Sequence, residues 1–361
     1  MKLSVPDYIQ TISPYVAGKP MEELEREYGI KNPVKIASNE NPLGPSPKAL
    51  KAVEAALKNL HRYPDAGAYY LVNKLAEKLS VSPANIVLGT GSDEVIGMLT
   101  RVFLQPGDEA ILSEHSFLMY EIMLRCDGAV PVWIPLKSLE IDLEEMKRRI
   151  TPKTRMIFLT SPNNPTGMIV RKKEFDRFIE GIPPEIVIVL DEAYIEFATD
   201  SECLKGLEYL SSGRAIVTLR TFSKIYGLAG LRIGYGMMPQ EMASLLNRVR
   251  QAFNTSSLAQ IAATAALDDD EFLQKTLTTV REGLKFLYAA LDNMGVSYFP
   301  TQSNFFLIDV KQSADEVFKR MLKQGVIVRS MSSYSLPQYI RVNVGLAHEN
   351  VRFIEAFKQV L

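Results

Sequence analysis

The sequence predicts an α/β protein: a large, doubly wound mixed sheet with helices on both faces, followed by a smaller α+β unit. Three observations carry this. Short aliphatic runs of strand length alternate with helical stretches from about Ala49 to Ala266. Four of those runs end in polar turns, at the strand ends where α/β sheets build their sites. A chain of 361 residues, 47% hydrophobic and 23% charged, can bury one large core and a second, smaller one.

In chain order, residues 1–45 form an N-terminal segment expected to pack on the smaller unit, 46–268 the large unit, and 269–361 a bridging helix plus the small unit. Ile86-Val87-Leu88 reads as a strand opening into Gly89-Thr90-Gly91-Ser92-Asp93-Glu94 and then a helical run from Val95 to Leu104. Strand, glycine loop and helix in that order make an anion site, because free backbone N–H groups and the positive end of the helix dipole face the loop. Gln105-Pro106-Gly107-Asp108 turns the chain into a strand from Glu109 to Leu112. Met156 to Leu159 is a strand that runs into the tight turn Ser161-Pro162-Asn163-Asn164-Pro165-Thr166-Gly167. The β-branched stretch Ile186 to Leu190 is a buried parallel strand ending in Asp191-Glu192-Ala193-Tyr194. Thr221-Phe222-Ser223-Lys224 sets one lysine among hydroxyls at a fourth strand end, with Arg232 about two helical turns further on. Asp269 to Met294 is a long amphipathic stretch that bridges the two units. Val296 to Leu361 reads as strand, helix, short strands and closing helix, and it carries Arg329 and Arg341. There is no internal repeat and no low-complexity linker.

Four strand ends therefore offer an amine, an acid, an amide and a phosphate cradle, and pyridoxal 5'-phosphate is a ligand that uses all four. No metal is expected. A formal net charge of -1 argues against nucleic acid as a partner, since binding a phosphate backbone needs a basic face. Cys126 and Cys203 read as reduced thiols rather than a disulfide framework. No apolar run approaches the roughly 18 residues of a membrane span, and Met1 to Asp7 lacks a signal-peptide core. The expected location is cytoplasmic.

These motifs, together with Ser13-Pro14-Tyr15, the run from Ser38 to Pro47 and the run from Tyr339 to Gly345, recur in order over almost the whole chain. In them the chain resembles the fold-type I, class II pyridoxal-phosphate-dependent aminotransferases, and within that family most closely those that act on histidinol phosphate. The resemblance implies that Lys224 holds the cofactor as a Schiff base and then carries a proton at the substrate carbon. It implies that Asp191 lies against the pyridine nitrogen and that Tyr194 and Asn164 hydrogen-bond the ring's phenolic oxygen. Asn164 is preferred to Asn163, which reads as a turn former. Gly91, Ser92, Thr221, Ser223 and Arg232 are assigned to the cofactor phosphate, Asp93 is counted with the cofactor-binding residues, and Tyr63 is expected to reach the phosphate from a second subunit of a homodimer. Phe117 occupies the position of the aromatic stacked on the ring, where tyrosine is the commoner residue. His115 is the other candidate base, although the lysine already supplies that function.

For the substrate, the resemblance places Arg341 at the carboxylate-binding position. Histidinol phosphate has no α-carboxylate, so this arginine would hold the phosphate ester, with Arg329 as the second cation. Ser330 departs from the proline common after that arginine. Tyr15 and Asn39 are expected to wall the pocket, and Phe253 stands where the partner subunit often supplies a tyrosine. Transfer of the amino group to 2-oxoglutarate is the first reading. A threonine-phosphate decarboxylase, an aromatic aminotransferase, and a non-enzymatic effector-binding protein remain open alternatives, the last favoured only by an added N-terminal DNA-binding module.

Overall fold

The computed structural model describes residues 4–15 and 18–361; Met1, Lys2, Leu3, Val16 and Ala17 lie outside the described residues, so the opening run is described only from Ser4. Thirteen strands occur among the described residues. β1 (Val34–Lys35) comes first, followed by β2 (Ile86–Gly89), β3 (Glu109–Ser113), β4 (Val130–Ile134), β5 (Thr154–Thr160), β6 (Val187–Asp191), β7 (Ile216–Thr221) and β8 (Gly234–Met237). β9 (Tyr298–Phe299), β10 (Phe305–Asp309), β11 (Val326–Ile327), β12 (Arg329–Ser330) and β13 (Tyr339–Asn343) complete the set.

Seven strands form the main sheet in the order β2-β8-β7-β6-β5-β3-β4. Only β8 runs antiparallel, to both β2 and β7, so β2 points the same way as β5, β6 and β7. Their four carboxyl ends consequently meet along one edge. Alternation of side chains sorts the aliphatic runs to two faces. Met156 and Phe158 of β5 pack with Val187, Val189, Val217 and Leu219 under the helices Ser92–Phe103, Met119–Cys126 and Gln240–Val249. Ile157 and Leu159 turn the other way, to Ile188, Leu190 and the helices Leu143–Arg148 and Lys172–Glu180. Covering both faces is what permits parallel strands that are apolar throughout.

A second sheet, β12-β13-β10-β9, is antiparallel. Its core is shared with the helices Asp270–Asn293 and Ala347–Val360. The N-terminal segment joins through β1, which pairs in parallel with β11.

Several element ends differ from the sequence expectation. The helix after the glycine loop starts at Ser92 rather than Val95, since Ser92, Asp93 and Glu94 form its first turn. The strand expected to stop at Leu190 includes Asp191, which pairs with Thr160 and Leu219 on its two sides. The path from Thr221 to Arg232 is not helical. It folds into a compact turn closed by Gly227 N–H to the Lys224 carbonyl and Leu228 N–H to the Phe222 carbonyl. A single 3-10 turn, Ala229–Leu231, follows, and Arg232 adopts a left-handed φ of 52°.

The lysine-bearing turn docks on the N-terminal segment. Asn41 Nδ2 donates to the Ile225 carbonyl (2.8 Å) and Ser46 N–H to the Tyr226 carbonyl (3.3 Å). Gly227 makes this approach possible: its φ is +68°, and a Cβ there would lie 2.0 Å from the Gly44 carbonyl oxygen. Gly213 has a similar φ of +74° with open space around it. Gly213→Ala should therefore cost only the left-handed strain, about 1 kcal/mol, whereas Gly227→Ala should cost at least about twice that. Urea unfolding of the two variants checks this, and equal costs would contradict the close approach.

Candidate active site

A cleft of about 270 Å³ opens at the shared carboxyl edge of β5, β6 and β7, roofed by residues of the antiparallel sheet and the N-terminal segment. Lys224 projects into it. Its Nζ donates to the Ser38 carbonyl (3.3 Å) and lies 5.5 Å from the centre of the Tyr194 ring. Burial first and the nearby Arg341 guanidinium second pull its pKa from 10.5 down to about 8. A lysine in this state is a substantial nucleophile near neutral pH.

Asp191, 5% exposed, closes the floor. One carboxylate oxygen accepts from Tyr120 Oη (2.6 Å) and the other from the Ala193 N–H (3.0 Å). Burial lifts its pKa to about 6, against the lowering effect of these two hydrogen bonds. Tyr194, on the turn after β6, is buried and has its phenol pushed up to about 12 by that burial. Its hydroxyl accepts from Asn39 Nδ2 (3.0 Å), which leaves the Tyr194 proton available to an acceptor in the cleft.

Asn164 belongs to the polar turn after β5, where the Ser161-Pro162 and Asn164-Pro165 peptides are cis. Its Oδ1 accepts a close hydrogen bond from Arg341 Nη1. A guanidinium only donates, so the Asn164 amide NH₂ is the end turned elsewhere. Asn163 closes the turn, with its N–H on the Met168 carbonyl and its Nδ2 on Thr166 Oγ1. Arg341 is 6% exposed; Nη2 donates to the Ala37 carbonyl (2.8 Å), and Nε has no partner among the described residues. Arg329 stands directly opposite Arg341 across the β12–β13 ladder, and both line the cleft.

At the far end of the cleft, the helix Ser92–Phe103 presents its N-terminus beside Thr221, Ser223 and Arg232. Arg232 Nη1 donates to Ser223 Oγ (3.4 Å) and Nη2 to Asp93 Oδ2 (3.3 Å). Gly91 caps the helix at φ +78°, and a Cβ there would lie 2.5 Å from Arg232 Nη2. The glycine is thus what lets the guanidinium lie over the helix start. Asp93, whose carboxyl burial raises above its ordinary value, is an acceptor that orients Arg232 rather than a donor to an anion.

The structure brings together Tyr15, Asn39, Ser92, Asp93, Phe117, Asn164, Asp191, Tyr194, Thr221, Ser223, Lys224, Arg232, Arg329 and Arg341 around one cleft. Asn39 lines the cleft and is also bonded to Tyr194, at 1% exposure and a left-handed φ of 56°. Tyr63 and Phe253 do not line the cleft of this chain. They stack on each other with ring centroids 4.8 Å apart, Tyr63 being 83% exposed. His115 is turned away, its Nδ1 against the Tyr334 carbonyl. Tyr120 and the Ser38 carbonyl were not predicted. Neither carried a local signal: Tyr120 stands in the first turn of the helix Met119–Cys126, and Ser38 contributes only its backbone carbonyl.

The model of aminotransferase class I and II matches residues 31–357. A histidinol-phosphate aminotransferase of Desulfotalea psychrophila is 47% identical, covering 100% of this chain and 96% of that one. Another, of Caldicellulosiruptor saccharolyticus, is 45% identical over 98% of this chain and 99% of its own. The crystal structure of histidinol-phosphate aminotransferase from Sinorhizobium meliloti in complex with pyridoxal-5'-phosphate superposes with a TM-score of 0.91 at 28% identity, over 99% of this chain and 97% of that one.

Competitive acylation of the protein with acetic anhydride across pH should give Lys224 a midpoint near 8 rather than 10.5. Arg341→Met should move that midpoint upward. A midpoint unchanged by Arg341→Met would contradict the proximity of the two cations.

Proposed function

This chain belongs to the aminotransferase class I and II family, and from that premise we propose that it transfers an amino group between histidinol phosphate and 2-oxoglutarate with pyridoxal phosphate held at Lys224. The residues present fit that cofactor. The glycine at position 91 leaves the helix start and Arg232 free to take a phosphate, Thr221 and Ser223 add hydroxyls, and Asp191 is a buried carboxylate suited to a pyridinium.

When bound, the cofactor supplies an aldehyde that takes up the amino group and a ring that draws electrons from the adjacent carbon. The chain's own residues do the rest. Lys224, lowered to about 8, would hold the cofactor through its amine and, once displaced, would take a proton from and return it beside the substrate's amine-bearing carbon. Asp191 keeps the pyridine nitrogen protonated. Tyr194 and the Asn164 amide donate to the phenolic oxygen, their other polar ends already engaged by Asn39 and Arg341.

The observation that supports this substrate is the cross-strand pair Arg329 and Arg341. Residues directly opposite on an antiparallel ladder point to the same face, and two guanidinium groups suit a phosphate ester better than one carboxylate.

The reading includes a homodimer with Tyr63 and Phe253 reaching the partner's cleft. It is supported by the exposed apolar side chains Leu57, Leu60, Tyr63, Tyr69, Tyr70 and Phe253 on one stretch of surface loops and helix ends. It also includes a cytoplasmic location, supported by two free cysteines, and by the lack, among the described residues, of any helix long and apolar enough to cross a membrane.

Steady-state kinetics with histidinol phosphate, phenylalanine and threonine phosphate side by side should favour the first. Arg329→Ala should reduce kcat/KM for histidinol phosphate by at least about tenfold and affect glutamate much less. A wide preference for phenylalanine would remove the phosphate role of Arg329. Lys224→Ala should abolish turnover, and borohydride trapping of the coloured protein should label Lys224 and no other lysine. Sedimentation should give twice the chain mass; a monomer with full activity would end the dimer reading.

A further inference from the structure

Tyr120 is a buried titratable group that the steps above do not use. It is 1% exposed, on the helix Met119–Cys126, and its Oη donates to Asp191 Oδ2 at 2.6 Å. The same oxygen lies 2.8 Å from Thr160 Oγ1. A phenol has one proton, and burial beside a carboxylate keeps it in place. With that proton on Asp191, the Thr160 hydroxyl donates to Tyr120, and the three groups form a chain, Thr160 to Tyr120 to Asp191, directed at the carboxylate.

The ring is fixed as firmly as the hydroxyl. Tyr120 stacks on Phe158 of β5 (4.8 Å, 22°) and meets Phe117 edge-on (5.6 Å, 87°). One side chain therefore touches both the acid at the floor of the cleft and the aromatic that lines it. No other side chain among the described residues hydrogen-bonds Asp191.

We propose that Tyr120 is a positioning residue: its hydroxyl keeps Asp191 ionised and aimed at the pyridine nitrogen, while its ring edge braces Phe117. The proposal rests on the reading that Asp191 meets that nitrogen. The need for such a donor follows from the surroundings of Asp191. Asp93 on the helix Ser92–Phe103 and Glu192 at its own strand end both favour its protonation, and burial does so more strongly. Against them stand the Ala193 N–H and the Tyr120 hydroxyl; Thr160 and Tyr194 face the same region uncharged. Removing the hydroxyl raises the proton affinity of Asp191, so that less of it is carboxylate at a given pH.

The test is the dissociation constant for pyridoxal phosphate, measured by equilibrium dialysis against full-length apoprotein between pH 5.5 and 8 for wild type, Tyr120→Phe, Asp191→Asn and the double variant. The ratio of Tyr120→Phe to wild type should rise towards about tenfold at the acid end and fall towards a small constant factor near pH 8, as a midpoint raised by about one unit requires. Titration of the cofactor's phosphate is common to both proteins and cancels in that ratio. In the Asp191→Asn background the same substitution should give a ratio that does not vary with pH. Thr160→Val, which breaks the chain at its other end and leaves both rings in place, should shift the profile in the same direction by less. If Asp191→Asn itself binds the cofactor as tightly as wild type, the assignment of Asp191 is wrong and the proposal falls with it. If Asp191→Asn binds weakly but the Tyr120→Phe ratio is flat with pH, the assignment stands and the proposal is overturned.

Discussion

Two cations that repel each other, Lys224 and Arg341, share one desolvated cleft, and much of the surrounding structure serves to hold them there. Burial disfavours the charged form of both. An uncompensated buried charge costs several kcal/mol, so each must find acceptors. They come from separate parts of the chain: the Ala37 and Ser38 carbonyls from the N-terminal segment and Asn164 Oδ1 from the turn after β5. The N-terminal segment is consequently part of the site rather than an appendage. It is fixed in place by β1 on β11, by the Ile36 N–H on the Ile327 carbonyl, and by the Asn41 amide on the lysine turn. Loosening that segment would withdraw two acceptors at once.

The acids are kept at a different level. Asp191 is bonded to neutral donors, not to either cleft cation, and Asp93 is given to Arg232 at the helix start. Had Asp191 paired with Lys224, the lysine would be held as an ammonium ion and could not act as a nucleophile. Spatial separation of the acid at the end of β6 from the amine beyond the end of β7 keeps both useful. That separation follows from sheet order, since β6 and β7 are neighbours whose carboxyl ends share one edge. Glu192, next along, is kept out of the cleft by its buried pair with Arg220 (2.8 Å).

The parts of this arrangement legible in the sequence are those carried by local order. A strand, a polar turn and a helix in succession announce where a site residue will sit, so Lys224, Asp191, Asn164 and the Gly91–Ser92 loop could be read directly. What could not be read depends on the third dimension. Tyr120 looks like an ordinary helix residue until β5 and β6 place Thr160 and Asp191 beneath it. Asn39 lines the cleft as its position in the N-terminal segment suggests, but its bond to Tyr194 and its left-handed backbone, a conformation asparagine tolerates better than most residues, have no local sequence signal. The shape of the Thr221 to Arg232 path was misjudged as well: residue spacing suggested helical turns, whereas close docking against Gly44 requires a compact loop. Tyr63 and Phe253 meet across 190 positions of sequence, a contact that local pattern does not reveal.

The shared cleft also makes the two cations functionally dependent on each other. Arg341 lowers the proton affinity of Lys224 only while its own charge is uncompensated. An anionic substrate that settles against Arg341 and Arg329 offsets that field, and the amine becomes more basic at that moment. Before substrate arrives, Lys224 therefore carries a larger share of the neutral form that bonds to a carbonyl carbon than an ordinary lysine does. After the anion is bound, it favours taking up a proton, as removal of the substrate's proton requires. One electrostatic coupling thus suits the same amine to two successive tasks.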